Sequence, residues 1–408
     1  MKIRYIITIL LVLQPGIRSA AQVYGCTDRL AANYVPAATI NNGSCIYSAA
    51  GIAPVASLPL AETLSETSGL ISWNNFIWTH NDNLDTKIYC LDTLTGNIVQ
   101  SFPLTGVKNT DWEEISQDEG YIYIGDFGNN YGNRRDLKIL KISKNSLTSG
   151  SPVIDSISYV YSDQADFTEA ANDNDYDCEA FIVSADSIYL FTKQWASERT
   201  SVYSLSKNPG DHVAKLRSTF NVNGLITGAV YLEQEGILVL TGYSGRLEPF
   251  LFLLYDFSSP DFFGGNKRKI DILLPYYQVE GIATSGNTKF YITNEHFSFK
   301  PLINIVQQIH VLDLTPFLGH FIDISIPLPD DRNNYIISPV PVIDYLTVKS
   351  LHDLLPEDYA LIDLSGQIVL TGRLTGDTEV INVSNLASGM YILRIGNQKP
   401  RSFKVIRQ

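Results

Sequence analysis

Five times between residues 53 and 329 the chain repeats one phrase: a short strand, a tight polar turn and a second strand. The copies read "SGLISWNNFIWTHN", "EEISQDEGYIYIGDF", "EAFIVSADSIYLFTKQ", "TGAVYLEQEGILVLTGY" and "EGIATSGNTKFYITNE". A third strand follows each: "KIYCLD", "LKILKI", "SVYSLS", "FLFLLYDF" and "QIHVLDL". A fourth follows the first four copies: "IVQSFPL", "IDSISYVYS", "AKLRSTFNV" and "KRKIDILLP". Helical periodicity is nearly absent, so the pattern is all-β. Four-stranded units recurring at about fifty residues are the blades of a β-propeller, because one such sheet cannot bury both faces until neighbours stack on it. The reading is five blades over residues 51–329. The fifth lacks an obvious fourth strand. "FIDISIPLP" is available, but "PVASLPLA", upstream of the first copy, has the same spacing to "SGLI" as "IVQSFPL" has to "EEIS". The N-terminal strand is therefore expected to close the ring and hide the ends of the sheet array.

Aligning the copies puts Ser68, Glu113, Glu179, Thr227 and Glu280 in register at the start of the innermost strands. In an up-and-down blade that position shares a face with the end of the second strand. Glu113, Glu179 and Glu280 are thus expected at one mouth of the central channel, with His80, Asp126, Lys193 and Asn294 near them. Three converging carboxylates repel one another. A hard cation such as Ca²⁺ would resolve this with oxygen ligands, and Lys193 could neutralise one glutamate directly. The plainer reading is that the glutamates accept hydrogen bonds from strand-end amides and threonine hydroxyls. Trp195, Phe127, Tyr243 and Phe297 fall on the same loops, where packing over the blades competes with a ligand-stacking role.

Other motifs are weak. Asp173, Asp175 and Asp177 have the odd spacing of a calcium loop, but Cys178 stands where the loop needs glycine and Ser184 where it needs an acid. No GxSxG, HExxH, Walker or CxxC pattern occurs. No catalytic residue can be assigned.

Residues 1–21 read as a secretory signal, with basic Lys2 and Arg4, an apolar stretch Tyr5–Leu13 and small residues Ser19, Ala20 and Ala21 before the cut. No run is long enough to span a bilayer as a helix. The formal net charge is −13, and residues 335–408 are balanced, so the acidic surplus lies upstream. Such a surface repels nucleic acid and suits cations, or simply solubility. Of four cysteines, Cys26 and Cys45 bracket a short polar loop at 22–50, and export makes a disulfide between them expected. Cys90 reads as a small buried residue, and acidic neighbours make Cys178 a poor nucleophile.

Three resemblances follow from particular residues. "GCTDRLAANYVPAATINNGSC" resembles a short Cys-bracketed motif of secreted proteins of the Bacteroidetes. "TDWEEIS", "IYIGDFGNN", "YDCEAFIV", "YLFTKQ" and "YITNE" are similar to exported SdiA-regulated and phytase-like propellers, which implies a Ca²⁺-compatible channel mouth. "SPVPVIDYLTV", "YALIDLSGQIVLTGRL", "INVSNLASGMYILRI" and "FKVIRQ" resemble the type A C-terminal sorting domain of the type IX secretion system, which implies a small seven-stranded β-sandwich at 330–408, the type IX machinery as partner, and export to the cell surface or medium. The leading expectation for function is ligand binding or adhesion towards a glycan or protein. The alternative is a Ca²⁺-dependent hydrolase of phosphoester or lactone type, with Glu113, Glu179 and Glu280 as metal ligands or general base and Asp126 or His80 assisting.

Overall fold

The computed structural model describes residues 22–286, 288–319, 335–338, 342–350, 357–363, 367–376, 378–396 and 401–407. The signal segment, "FIDISIPLP" and part of the "DLSG" turn lie outside them. The chain divides into two compact units, residues 1–322 and 323–408.

The first unit is a five-bladed β-propeller. Blade 1 is Thr67–Trp73, Phe76–Asn81, Lys87–Leu91 and Ile98–Pro103. Blade 2 is Trp112–Gln117, Tyr121–Asp126, Lys138–Ser143 and Ile154–Tyr161, and blade 3 is Asp177–Val183, Ser187–Lys193, Arg199–Ser206 and Gly210–Asn221. Blade 4 is Leu225–Leu232, Ile237–Tyr243, Pro249–Tyr255 and Asn266–Ile272. Blade 5 takes Val279–Thr284, Lys289–Asn294 and Gln308–Asp313, and its outer strand is Ala56–Pro59 from the N-terminal side, with Ser57 opposite His310. Closure is therefore the one expected from the spacing. The long outer strand of blade 3 also pairs in parallel with that of blade 2 through Gly210–Ala214, which fuses the two sheets at the rim.

Each blade is apolar on both faces because each is sandwiched. Separate cores fill the gaps: Trp78, Trp112 and Ile124 between blades 1 and 2, Phe127, Phe181 and Tyr203 between 2 and 3, Phe191, Phe250 and Phe262 between 3 and 4, Leu253, Phe290 and Leu312 between 4 and 5. Leu70, Tyr89, Tyr291 and Val311 fill the gap between 5 and 1 and complete the circle. Cys90 and Cys178 are buried thiols in different cores, and burial pushes the Cys90 thiol up to about 11.

The five innermost strands share one irregularity. Each carries extra chain, opposite its second strand, at the same point: Ser68–Gly69, Glu113, Glu179, Thr227 and Glu280–Gly281. A β-bulge leaves its extra residue out of the ladder and re-aims its side chain. The residues aligned from sequence are thus five bulges in register around the channel. Gly228 and Gly281 allow the inner strands to approach, since a Cβ on either would strike a carbonyl of the next blade, Glu280 O and Ser68 O respectively.

The Cys26–Cys45 disulfide closes the N-terminal loop. That module docks on blade 4: Tyr255 donates its hydroxyl to Asp28 at 2.6 Å, and Asn41 Nδ2 donates to Asp256 at 2.8 Å and Asn266 at 2.9 Å. Gly51–Ile52 then pairs with the outer strand of blade 4 just before the chain enters blade 5.

The second unit is a β-sandwich. Tyr335–Ser338, Tyr345–Ser350 and Thr378–Asn382 form one sheet, and Glu357–Asp363, Ile368–Leu374, Gly389–Ile395 and Arg401–Arg407 form the other. Leu346 and Val348 from the first meet Leu361, Leu393 and Val405 from the second in one core.

Candidate functional site

A cavity of about 370 Å³ opens at the bulged end of the channel. Its lining includes six carboxylates, Asp82, Asp111, Glu113, Glu179, Glu280 and Glu295, and among its lining residues Lys193 is the sole cation. Trp195, Tyr243, Tyr131 and Gln278 complete much of the wall.

The three bulge glutamates have different fates. Glu179 takes the Lys193 ammonium on both oxygens at 2.6 Å, with each side chain only 5% exposed. Lys193 Nζ also lies 4.6 Å from the Trp195 ring centre and 5.3 Å from that of Tyr243, a carboxylate-and-aromatic cage for an ammonium. Glu179 holds the Lys193 charge well above its ordinary range. Glu113 and Glu280 are 8% and 6% exposed, and their carboxylates accept no hydrogen bond from any described residue. Glu113 Oε1 and Asp111 Oδ2 both sit in the space that a Cβ on Gly128 would fill. Burial, then the charges of Glu179 and Asp111, push Glu113 well above the usual carboxylate range. Burial and Asp177 push Asp111 up to about 6. Burial pushes Glu280 up to about 7, against the pull of Lys193.

Strand-end amides and hydroxyls are satisfied by other groups. Ser68 Oγ donates to Glu113 O, Thr227 Oγ1 donates to Val279 O at 2.5 Å, and Thr293 Oγ1 donates to Ser68 O at 3.4 Å. Glu114, fully buried, reaches across the channel and accepts from Ile115 N at 2.9 Å and Ala229 N at 3.0 Å. These bonds tie blades 1, 2, 4 and 5 together beneath the cavity.

Of the seven residues placed at the mouth from sequence, Glu113, Glu179, Glu280 and Lys193 line the cavity and His80, Asp126 and Asn294 do not. His80 is fully buried edge-on to Trp112, and desolvation lowers it to about 4. Asp126 lies under the rim between Arg134 at 2.9 Å and Lys138 at 3.0 Å. Asn294 Nδ2 donates to Glu295 O and Val306 O, and its Oδ1 accepts from His310 Nε2 at 2.8 Å, a purely internal network. Phe127 belongs to the core between blades 2 and 3 and Phe297 to a side hairpin, whereas Trp195 and Tyr243 face the cavity. Asp177 accepts from Asn129 N and, at 2.8 Å, from Trp195 Nε1, so it positions that indole rather than a cation.

Glu113, Glu179 and Glu280 do not bring one oxygen each within ligating reach of one another. Among the described residues the group that does is Glu66, Asp82 and Glu295, whose ligand atoms lie within 4.8 Å of each other. Asp82 and Glu295 stand one residue beyond the second strands of blades 1 and 5, and Glu66 one residue before blade 1. The clue in the sequence is that both second strands end on an amide followed by an acid, Asn81-Asp82 and Asn294-Glu295.

Residues 337–407 match the family described as the secretion system C-terminal sorting domain. That domain directs export through the type IX system, so the protein is sent to the cell surface or released. No helix among the described residues is long and apolar enough to cross a membrane. No curated protein matches the chain. Among solved structures the chain is similar to the PQQ-bound form of an aldose sugar dehydrogenase from Streptomyces coelicolor, with 9% identity, 63% of this chain and 97% of that one covered, and a TM-score of 0.39. It is also similar to PorZ, an essential bacterial surface component of the type-IX secretion system of Porphyromonas gingivalis, with 12% identity, 84% and 45% covered, and a TM-score of 0.30.

Proposed function

We propose that this exported propeller is a binding protein whose channel mouth takes a cationic group of its ligand, such as a lysine or arginine side chain of a protein. One observation carries the reading: Glu113 and Glu280 are more than nine-tenths buried, face the cavity and have no partner among the described residues, while Glu179 alone uses the ammonium of Lys193. Buried carboxylates without partners are costly, and a bound cation relieves that cost. The cage around Lys193 is a template for how an incoming ammonium would be held, and the acidic surface would steer such a ligand inwards.

The test is titration of the full mature chain with hexalysine, following tryptophan fluorescence and heat. Saturable binding that weakens with salt, and weakens by about tenfold in Glu113→Gln, is expected. Absence of binding, or binding indifferent to Glu113→Gln, refutes the reading. A phosphoester hydrolase, as the phytase-like motifs suggest, has less support. It needs free basic groups for phosphate, and Lys193 is held by Glu179 while Arg134 and Lys138 are held by Asp126.

A further inference from the structure

We propose that the hairpin at residues 297–305, on the rim of the mouth, docks an extended segment of a partner protein that is apolar at alternate positions and carries a lysine or arginine a few residues away. The inference rests on the reading that the cavity takes a cationic side chain, and it names what flanks that side chain in the partner.

The hairpin is Phe297–Phe299 paired antiparallel with Ile303–Ile305, inserted between the second and third strands of blade 5. It starts two residues after Glu295, which lines the cavity. Its base is tied to the chain entering blade 1: His296 N donates to Ser65 O at 2.8 Å, and Gln307 Nε2 donates to Ala61 O at 3.1 Å. Phe297 stands opposite Ile305, and Phe299 opposite Ile303. Residues opposite one another, and residues two apart, share a face, so one face of the hairpin is wholly apolar. It is not a core face. Phe299 is 59% exposed, the other three are partly buried, and among the described residues none of the four joins a core of the propeller. The sheet has only these two strands, so among the described residues each keeps one edge unpaired. A lone two-stranded ribbon is marginal in water until something covers it.

The surroundings specify the occupant. A strand added at a free edge continues the sheet and places every second side chain on the apolar face, so the occupant is extended and apolar at alternate positions. Charge sets the rest. Residues 297–305 contain no acid and carry Lys300 at the turn, whereas the adjoining cavity is lined by six carboxylates. A partner complementary to both is apolar along the hairpin and positive where it passes the mouth. Both contacts can be made at once. Phe297 and Phe299 lie no more than about 7 and 14 Å along the chain from Glu295, so a basic residue two to four positions beyond the apolar ones reaches the cavity. Neighbouring connections at the same end extend the apolar surface: Leu84, between the second and third strands of blade 1, and Tyr276, between blades 4 and 5, are both exposed.

The experiment titrates the full mature chain, by calorimetry, with two end-capped peptides. One alternates threonine and valine three times and ends in serine and lysine; the other has serine at the three valine positions. One well-buried valine is worth about tenfold in affinity, so the valine peptide should bind at least about tenfold more tightly. Phe299→Ser should cut that advantage to about threefold or less, and Leu94→Ser, an exposed position at the opposite end of blade 1, should leave it intact. Hydrogen exchange on the wild-type chain needs no variant: the valine peptide should slow exchange at 297–305, and the serine peptide should not. Equal affinities for the two peptides, an advantage kept in Phe299→Ser, unchanged exchange at 297–305 or failure of both peptides to bind overturns the proposal. So does a concentration-dependent dimer lost in Phe299→Ser, which would make a second copy the occupant. An advantage of the expected size, with both affinities unmoved by Glu113→Gln, refutes the cation in the cavity and leaves the apolar docking in place.

Discussion

Glu114→Ala should be among the most damaging single substitutions in the propeller. The Glu114 side chain is fully buried and crosses the channel, accepting from its own blade at Ile115 N and from blade 4 at Ala229 N. Alanine removes both acceptors and leaves two amides in a space closed to solvent. Each unsatisfied buried amide costs about 1–3 kcal/mol, so the loss is about 2–6 kcal/mol. Burial pushes the Glu114 carboxyl well above its ordinary range while the amides of Ile115, Ala229 and Leu70 pull it back. Glu114→Gln keeps one acceptor oxygen, turns an NH₂ towards the other amide, and should lose about half as much. The assay is urea unfolding followed by tryptophan fluorescence. All four tryptophans, Trp73, Trp78, Trp112 and Trp195, lie in the propeller, so the sorting domain is silent. With a urea slope of about 3 kcal/mol/M for a unit of this size, the midpoint should fall by about 0.7–2 M in the alanine variant. A fall under about 0.3 M, with the slope unchanged, would mean that water replaces the carboxylate and that the bridge between blades 2 and 4 is not what holds the channel.

Four further outcomes are expected. Asp111 is pushed up to about 6 by burial and Asp177, so its charge opposes folding from about pH 4 upwards; Asp111→Asn should match wild type below pH 4 and become more stable between pH 4 and 6, by about 1–3 kcal/mol, in urea melts across pH. Lys193→Met strands Glu179 and should cost about 3–5 kcal/mol at neutral pH, with the loss shrinking as pH falls towards ~4.3 and Glu179 protonates; a loss independent of pH would show that the pair is not ionic. Replacing Cys26 and Cys45 together with serine should weaken the N-terminal module by about 3 kcal/mol and expose its junction with blade 4 to limited proteolysis, while the tryptophan-monitored melt changes little. Deleting 337–407 should leave the folded propeller in the periplasm, as cell fractionation would show, because the matched domain is what the exporter reads.

The blades were legible because each imposes a local rule. Alternating apolar runs separated by polar turns can form only paired strands, and equal spacing of "PVASLPLA" and "IVQSFPL" was enough to name the closing strand. Repetition also exposed the ring of bulges, since Glu113, Glu179 and Glu280 stand at matching points of three copies. Which acids face the cavity was harder to read. Within a ladder side chains alternate, but past the last pair that period ends. Lys193 and Tyr243 reach the cavity from the last pair of their strands, whereas in blades 1 and 5 it is Asp82 and Glu295, one residue further on. His80 stands two residues, and Asn294 one, short of the acids that face the cavity.

Glu113 and Glu114 show why the remainder needs coordinates. They are the same residue type at adjacent positions, both buried and both far from their ordinary charge equilibrium. The bulge turns the first towards the cavity, where among the described residues nothing donates to it, and leaves the second in the ladder, where Ala229 of another blade does. One glutamate is thereby a strut and the other part of the cavity wall. The difference is set by where a neighbouring blade places its amide, a contact between segments far apart in the chain that neither residue's local pattern records. The same holds for Glu66, Asp82 and Glu295, which become a set only after blade 5 is closed by the N-terminal strand and brought against blade 1. A variant that opens the ring at Ala56–Pro59 should therefore disperse the cavity and lose hexalysine binding even with Glu113 and Glu280 in place.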